Sequence, residues 1–193
     1  MLALHKLLDE PDLDPYIIIL ARDPRGIFNS RDKIFTSDLY KEQDRSRNYD
    51  RLLTDAKTVC GQTERMIDYT RNHTVIDKTL VVRYEDLAMA PIVESQRIYD
   101  FVGLPFPSNV KQWINKKLSI DSEDNEDGRT FNTKKNPKDV ALRWREEINA
   151  SFVGEIQESC KKNMALLGYK TTDAETELSQ ADVITDSMPV FLQ

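Results

Sequence analysis

Glycine is scarce in this chain, six in 193 residues, and the six stand apart at Gly26, Gly61, Gly103, Gly128, Gly154 and Gly168. None of them builds a glycine-rich loop whose successive backbone N–H groups could wrap a phosphate. Histidine and cysteine number two each, and no cluster of them with carboxylates has metal-ligand spacing, so no protein-held metal is expected. No apolar run approaches the ~20 residues needed to cross a bilayer, and Met1 to Glu10 shows no signal peptide. A basic excess is missing as well. The formal net charge of −6 argues against a general nucleic-acid binder, and any cationic site must therefore be local. What remains, 39% apolar and 31% charged residues, is ordinary for one domain with a real core.

Along the chain, helical and strand patterns alternate without an internal repeat. Leu4, Leu7 and Leu8 suggest a short amphipathic helix before Pro11. Tyr16 to Leu20 reads as a strand covered on both faces in a parallel sheet. From Tyr49 the positions Leu52, Leu53, Ala56, Val59, Cys60, Thr63, Met66, Ile67 and Thr70 keep helical spacing for six turns, a core-facing stripe with no ligand read into it. Thr79 to Arg83 is the second strand. Helices are expected from about Pro91 to Val102, closed by Gly103, and around Val110, Ile114 and Leu118. Phe152, Ile156, Cys160, Met164 and Leu167 mark one last helix, closed by Gly168. Asp121 to Asp127 reads as an acidic loop, and 171–193 as a polar, disordered tail behind a domain of residues 1–170.

The chemistry concentrates where the first strand ends. Arg22 follows that strand, Pro24 and Gly26 break it, and Ile27, Phe28, Arg31, Ile34 and Phe35 restart at helical spacing, with Ser30 in the first turns. A guanidinium, a hydroxyl and a helix N-terminus converge there, which suits a phosphate. Asp23 cannot aid an anion directly, so it is expected to brace an arginine or a backbone N–H. Arg25 and Arg31 are expected to be structural or exposed.

The buried strand, Arg22-Asp23-Pro24-Arg25 and Ser30 eight residues after Arg22 resemble the 3′-phosphate motif of the sulfotransferases that use 3′-phosphoadenosine 5′-phosphosulfate (PAPS). Three more segments resemble that family in order: 79–87 (TLVVRYEDL) with Arg97 to Phe106, Thr133 to Arg145 (TKKNPKDVALRWR), and Cys160 to Tyr169 (CKKNMALLGY). Together they cover roughly residues 4 to 170 and point to the Golgi carbohydrate sulfotransferases that act on the 6-position of galactose, N-acetylglucosamine or N-acetylgalactosamine. The resemblance implies an α/β, P-loop-NTPase-like parallel sheet flanked by helices. The N-terminal strand and phosphate loop of that fold are not found, so the chain reads as the C-terminal two-thirds of the domain.

The resemblance also implies sulfuryl transfer from PAPS to a glycan or proteoglycan acceptor in the Golgi lumen, with no metal. It assigns Arg22, Ser30, Tyr84, Lys135 and Asn136 to the nucleotide, with Tyr84 stacked on the adenine or else a core tyrosine, and Trp144 to packing. Glu85 and Asp86 diverge from a strand end, so a shared proton is not expected, and Asp86 is assigned to helix capping. Cys60 and Cys160 resemble paired family cysteines, and a disulfide within ~7 Å between Cα atoms and two buried thiols both stand open. The sequons Asn72-His73-Thr74 and Asn149-Ala150-Ser151 fit a secretory route. Neither His5 nor His73 matches a family base, and the base stays unassigned. Two rivals remain: a non-catalytic fragment that holds nucleotide or glycan, and a P-loop-type nucleotide kinase, which needs a Gly-rich lysine loop.

Overall fold

A computed structural model describes residues 6, 8, 10, 12–36, 45–72, 75–118 and 136–172. The amphipathic helix at Leu4 and Leu7, both histidines, the acidic loop, Lys135 and residues 173–193 of the tail lie outside the described residues. Two β-branched segments, β1 (Ile17–Ala21) and β2 (Thr79–Arg83), pair in parallel with Ile17 opposite Thr79 and Ala21 opposite Arg83. Parallel pairing demands a crossover, here made by α1 (Pro24–Thr36) and α2 (Arg45–Asn72). Both strands therefore end side by side.

Nine α-helices are present among the described residues, with one 3-10 turn at Ile76–Lys78 before β2. After β2 come α3 (Tyr84–Met89), α4 (Pro91–Phe101) and α5 (Ser108–Leu118), then α6 (Pro137–Leu142), α7 (Trp144–Glu147), α8 (Ala150–Ser159) and α9 (Lys161–Leu167). Local chemistry sets their ends. Asn136 and Asn149 cap α6 and α8 through their side-chain oxygens, and Pro91 and Pro137 occupy first turns, where no amide hydrogen is needed. Gly168 closes α9 at φ 74°, a left-handed conformation that favours glycine.

The core lies between the inner face of the sheet and α1, α2, α8 and α9, with Ile19, Phe28, Leu52, Val81, Ile156 and Met164 at its centre. Every residue of β2 is buried, but β1 alternates: Ile17, Ile19 and Ala21 face inward while Ile18 and Leu20 are exposed. The expectation of a first strand covered on both faces is thus corrected. An unbroken apolar run cannot reveal which of its two faces is left open. The single last helix is also corrected, because the chain bends at Cys160 (φ −115°, ψ 14°) and divides the stripe between α8 and α9.

Cys60 on α2 and Cys160 at that bend form a disulfide, with Cα atoms 5.5 Å apart. This resolves the choice left open between a disulfide and two thiols.

Candidate functional site

The carboxyl ends of β1 and β2 open on a cavity of about 290 Å³, lined by Arg22, Ile27, Cys60, Thr63, Tyr84 and Asn163 among others. Arg22 and Tyr84 thus face one cavity, as expected of the residues that follow two neighbouring parallel strands. The Arg22 guanidinium carbon stands 4.6 Å from the centre of the Tyr84 ring, a cation–π arrangement. Burial pushes the Tyr84 hydroxyl above its ordinary pKa, against the Arg22 charge, so it stays protonated at neutral pH. The Arg22 Nε is buried and donates to no acceptor.

Behind this pair runs a buried polar seam. Asp23 takes three hydrogen bonds from Arg25: its Oδ1 accepts from the backbone N–H at 2.9 Å and from Nε at 3.0 Å, and its Oδ2 from Nη2 at 2.7 Å. Arg25 Nη1 donates to Gln157 at 2.9 Å. Asp23 is therefore a brace, and Arg25 is structural and fully buried. The Asp23 N–H donates to Glu85 Oε1 at 3.1 Å, and the Tyr169 hydroxyl donates to Glu85 Oε2 at 2.7 Å. Arg22 and Tyr84 are each followed by a buried carboxylate, Asp23 and Glu85, and the second carboxylate ties the two strand ends together. Burial first, and then the Asp23 charge, push the Glu85 carboxyl up to about 7. Tyr169, buried beside both carboxylates, has its pKa raised well above the usual value and remains a donor.

Glu85 and Asp86 do diverge, but the capping role given to Asp86 is corrected. Asp86 grips Arg83, accepting from Nε at 2.6 Å and Nη2 at 3.0 Å, and the start of α3 has no side-chain cap. Arg83 is the nearest strong donor, and its charge outcompetes the neutral helix N–H groups.

The other candidates scatter. Ser30 is exposed on α1, on the same face as the cavity residue Ile27 and one turn further along, and it is not part of the lining. Asn136 stands at the start of α6, where its Oδ1 accepts from the Lys138 N–H at 3.0 Å. Lys135 lies outside the described residues. The helices that follow Asn136 pack beside the strand ends, α6 on α3 and α7 on α1. Glu147 fastens α7 to α1, accepting from Asn29 Nδ2 at 3.2 Å and pairing with Lys33 at 2.5 Å.

Three features escaped the sequence. Glu85 is one, and its signal was the doublet Tyr84-Glu85 mirroring Arg22-Asp23. Trp144 packs as expected, its ring 4.8 Å from the Arg25 guanidinium carbon, but its indole N–H is buried and without an acceptor. Arg145 is the third. Its Nε is also buried and unpaired, and desolvation lowers its pKa despite the nearby Asp23. Among the described residues these two and Arg22 carry all the buried side-chain donors that lack a partner, and no acidic oxygen does. Of the three, Arg22 alone belongs to the cavity lining; Trp144 and Arg145 lie outside it.

Comparison with known proteins gives a matching family, described as "Sulfotransferase domain", over residues 4–168. The chain is 32% identical over 182 residues to mouse carbohydrate sulfotransferase 1, covering 91% of this chain and 44% of that protein. It is 32% identical to the human carbohydrate sulfotransferase 1 over 187 residues, 93% and 45% of the two chains. Mouse carbohydrate sulfotransferase 4 is 28% identical over 185 residues, 91% and 47%. The chain thus spans a little under half the length of these curated relatives. No solved structure matches.

Proposed function

Because the chain belongs to the sulfotransferase-domain family, we propose that the crevice at the ends of β1 and β2 binds PAPS and serves transfer of its sulfuryl group to a glycan hydroxyl. The acceptor is the 6-position of a hexose or N-acetylhexosamine, on a glycan or proteoglycan. The observation that carries this reading is Arg22, held at a strand end over Tyr84 with a buried N–H that has no acceptor. The residues fit the nucleotide. Arg22 supplies a charge-assisted donor to the 3′-phosphate, and Tyr84 offers an aromatic face to the adenine. Ser30, Lys135 and Asn136 belong to the reading as further contacts, Ser30 from α1 and the other two from the segment that leads into α6.

When bound, PAPS supplies the activated sulfuryl group and a phosphate leaving group. The chain's own residues orient it: the Asp23–Arg25 brace and the Glu85 tie hold Arg22 and Tyr84 still, so their geometry is set before the ligand arrives. We read the sheet as part of a P-loop-like fold and the setting as the Golgi lumen, where the Cys60–Cys160 disulfide persists. A second reading, nucleotide binding without turnover, draws support from the lining, which among the described residues offers arginine, tyrosine, threonine and asparagine but no carboxylate, histidine or lysine.

The test is calorimetric titration of the chain with adenosine 3′,5′-bisphosphate and with adenosine 5′-phosphate. Tighter binding of the bisphosphate by about tenfold or more is expected from one charge-assisted contact. Equal affinities overturn the proposal, and turnover of PAPS with a glycan separates its two forms.

A further inference from the structure

We infer that Trp144 is a direct ligand of the phosphate held at Arg22, through its indole N–H, and that residue 26 is glycine so that this N–H can reach it. The inference rests on the nucleotide reading above and adds a residue to which sequence had given only packing. Trp144 is 2% exposed, so its N–H cannot be satisfied by bulk water. A buried donor left unpaired is rare in a native fold and costs on the order of 1–3 kcal/mol.

The position of this donor is informative. A Cβ placed on Gly26 would stand 2.9 Å from Trp144 Cδ1, 3.2 Å from Trp144 Nε1 and 3.5 Å from Arg22 Nε. The two unpaired side-chain donors therefore flank the same bare Cα. Any larger residue would press on the indole, a ring fixed in the core. The backbone adds a third donor. Pro24 has no amide hydrogen, the Arg25 N–H goes to Asp23 Oδ1, and the Ile27 N–H goes to the Asp23 carbonyl. Gly26 is left as the first-turn N–H with no acceptor inside the helix. α1 has 13 residues, so its dipole also favours an anion at this end.

α7 is fixed so as to deliver the ring. Glu147 ties α7 to Asn29 and Lys33 of α1, and the buried Arg25 guanidinium lies over the indole face. Arg145, next in the chain, brings a further unpaired N–H and a positive charge that burial disfavours. A dianionic phosphate has enough acceptor oxygens for all of these donors.

The chain has two tryptophans, and Trp113 is 60% exposed on α5, which makes it an internal control. In a ¹⁵N-correlated spectrum the Trp144 indole resonance should move downfield on saturation with adenosine 3′,5′-bisphosphate, while the Trp113 resonance stays in place. Adenosine 5′-phosphate should move neither. Trp144→Phe removes the N–H together with part of a buried ring, so a lower melting temperature is expected; measured well below that temperature, it should weaken bisphosphate binding about tenfold or more while the affinity for adenosine 5′-phosphate changes little. A merely packing tryptophan would alter both affinities alike. Selective bisphosphate binding with an unmoved Trp144 resonance overturns this inference and leaves the nucleotide reading standing. Absence of any selective binding overturns both.

Discussion

Arg22 and Tyr84 owe their placement to the carboxylates that follow them. Glu85 accepts from the Asp23 N–H, so the residue after Tyr84 holds the residue after Arg22. Its carboxyl, pushed up to about 7 by burial and by Asp23, makes this tie sensitive to pH. In the unfolded chain a glutamate releases its proton near the ordinary value of about 4.3. Between there and about 7 the folded state binds the extra proton, so Glu85's contribution to stability is greatest below that window and declines as pH rises through it. Glu85→Gln should therefore gain stability relative to wild type as pH goes from 5 to 8, by on the order of 1–3 kcal/mol in chemical denaturation. A constant difference between the two proteins across that range would show that Glu85 ionises normally.

Residue types were legible in the sequence wherever chemistry and position coincided. Arg22 at a strand end, Asp23 as its neighbour's brace and Tyr84 after the second strand could be read, because a parallel pair brings both strand ends to one crevice. Trp144 could not be read beyond packing. Whether an indole N–H finds an acceptor depends on Gly26, 118 positions away in sequence. Asp86 was misread because capping is a local rule, and the stronger claim of Arg83 is set by β2 and α3 together.

The elements show the same division. Helical stripes gave α2, α4 and α5 near their observed positions, α2 from its long apolar stripe alone and α4 and α5 with a proline or glycine beside an end as well. The bend at Cys160 was invisible, because the stripe from Phe152 to Leu167 keeps its period across it. The disulfide pins that bend to α2 and closes a loop of 100 residues. A loop of that length is worth about 4–5 kcal/mol in the chain-entropy account, and loss of a native disulfide typically costs about 2–5 kcal/mol. Guanidinium unfolding of the oxidised chain and of the Cys60→Ala, Cys160→Ala double variant should differ by about that amount. Cys60 also lines the cavity, so the double variant should bind bisphosphate more weakly as well. Equal stability would mean that packing of Leu52, Ala56 and Ile156 alone holds α2 to α8.

On the scale of the whole molecule, an acidic chain is proposed to hold a local site for an anion. The net charge is −6, yet among the described residues the buried side-chain donors without partners are those of Arg22, Trp144 and Arg145, near the start of α1 or in α7. Four negative side chains in the same region are engaged: Asp23 by Arg25, Glu85 by Tyr169 and the Asp23 N–H, Asp86 by Arg83 and Glu147 by Lys33. Repulsion of an incoming phosphate is thereby reduced and donors are left over. Membership of the sulfotransferase-domain family says which anion to test.

The most direct measurement is a four-way calorimetric comparison: wild type and Arg22→Ala, each with adenosine 3′,5′-bisphosphate and with adenosine 5′-phosphate. Removal of one charge-assisted contact of about 1.5–3 kcal/mol should weaken the bisphosphate by roughly 10- to 150-fold and leave the monophosphate nearly unchanged. Equal losses for the two nucleotides would assign Arg22 to the fold or to the other end of the ligand, and would contradict the account.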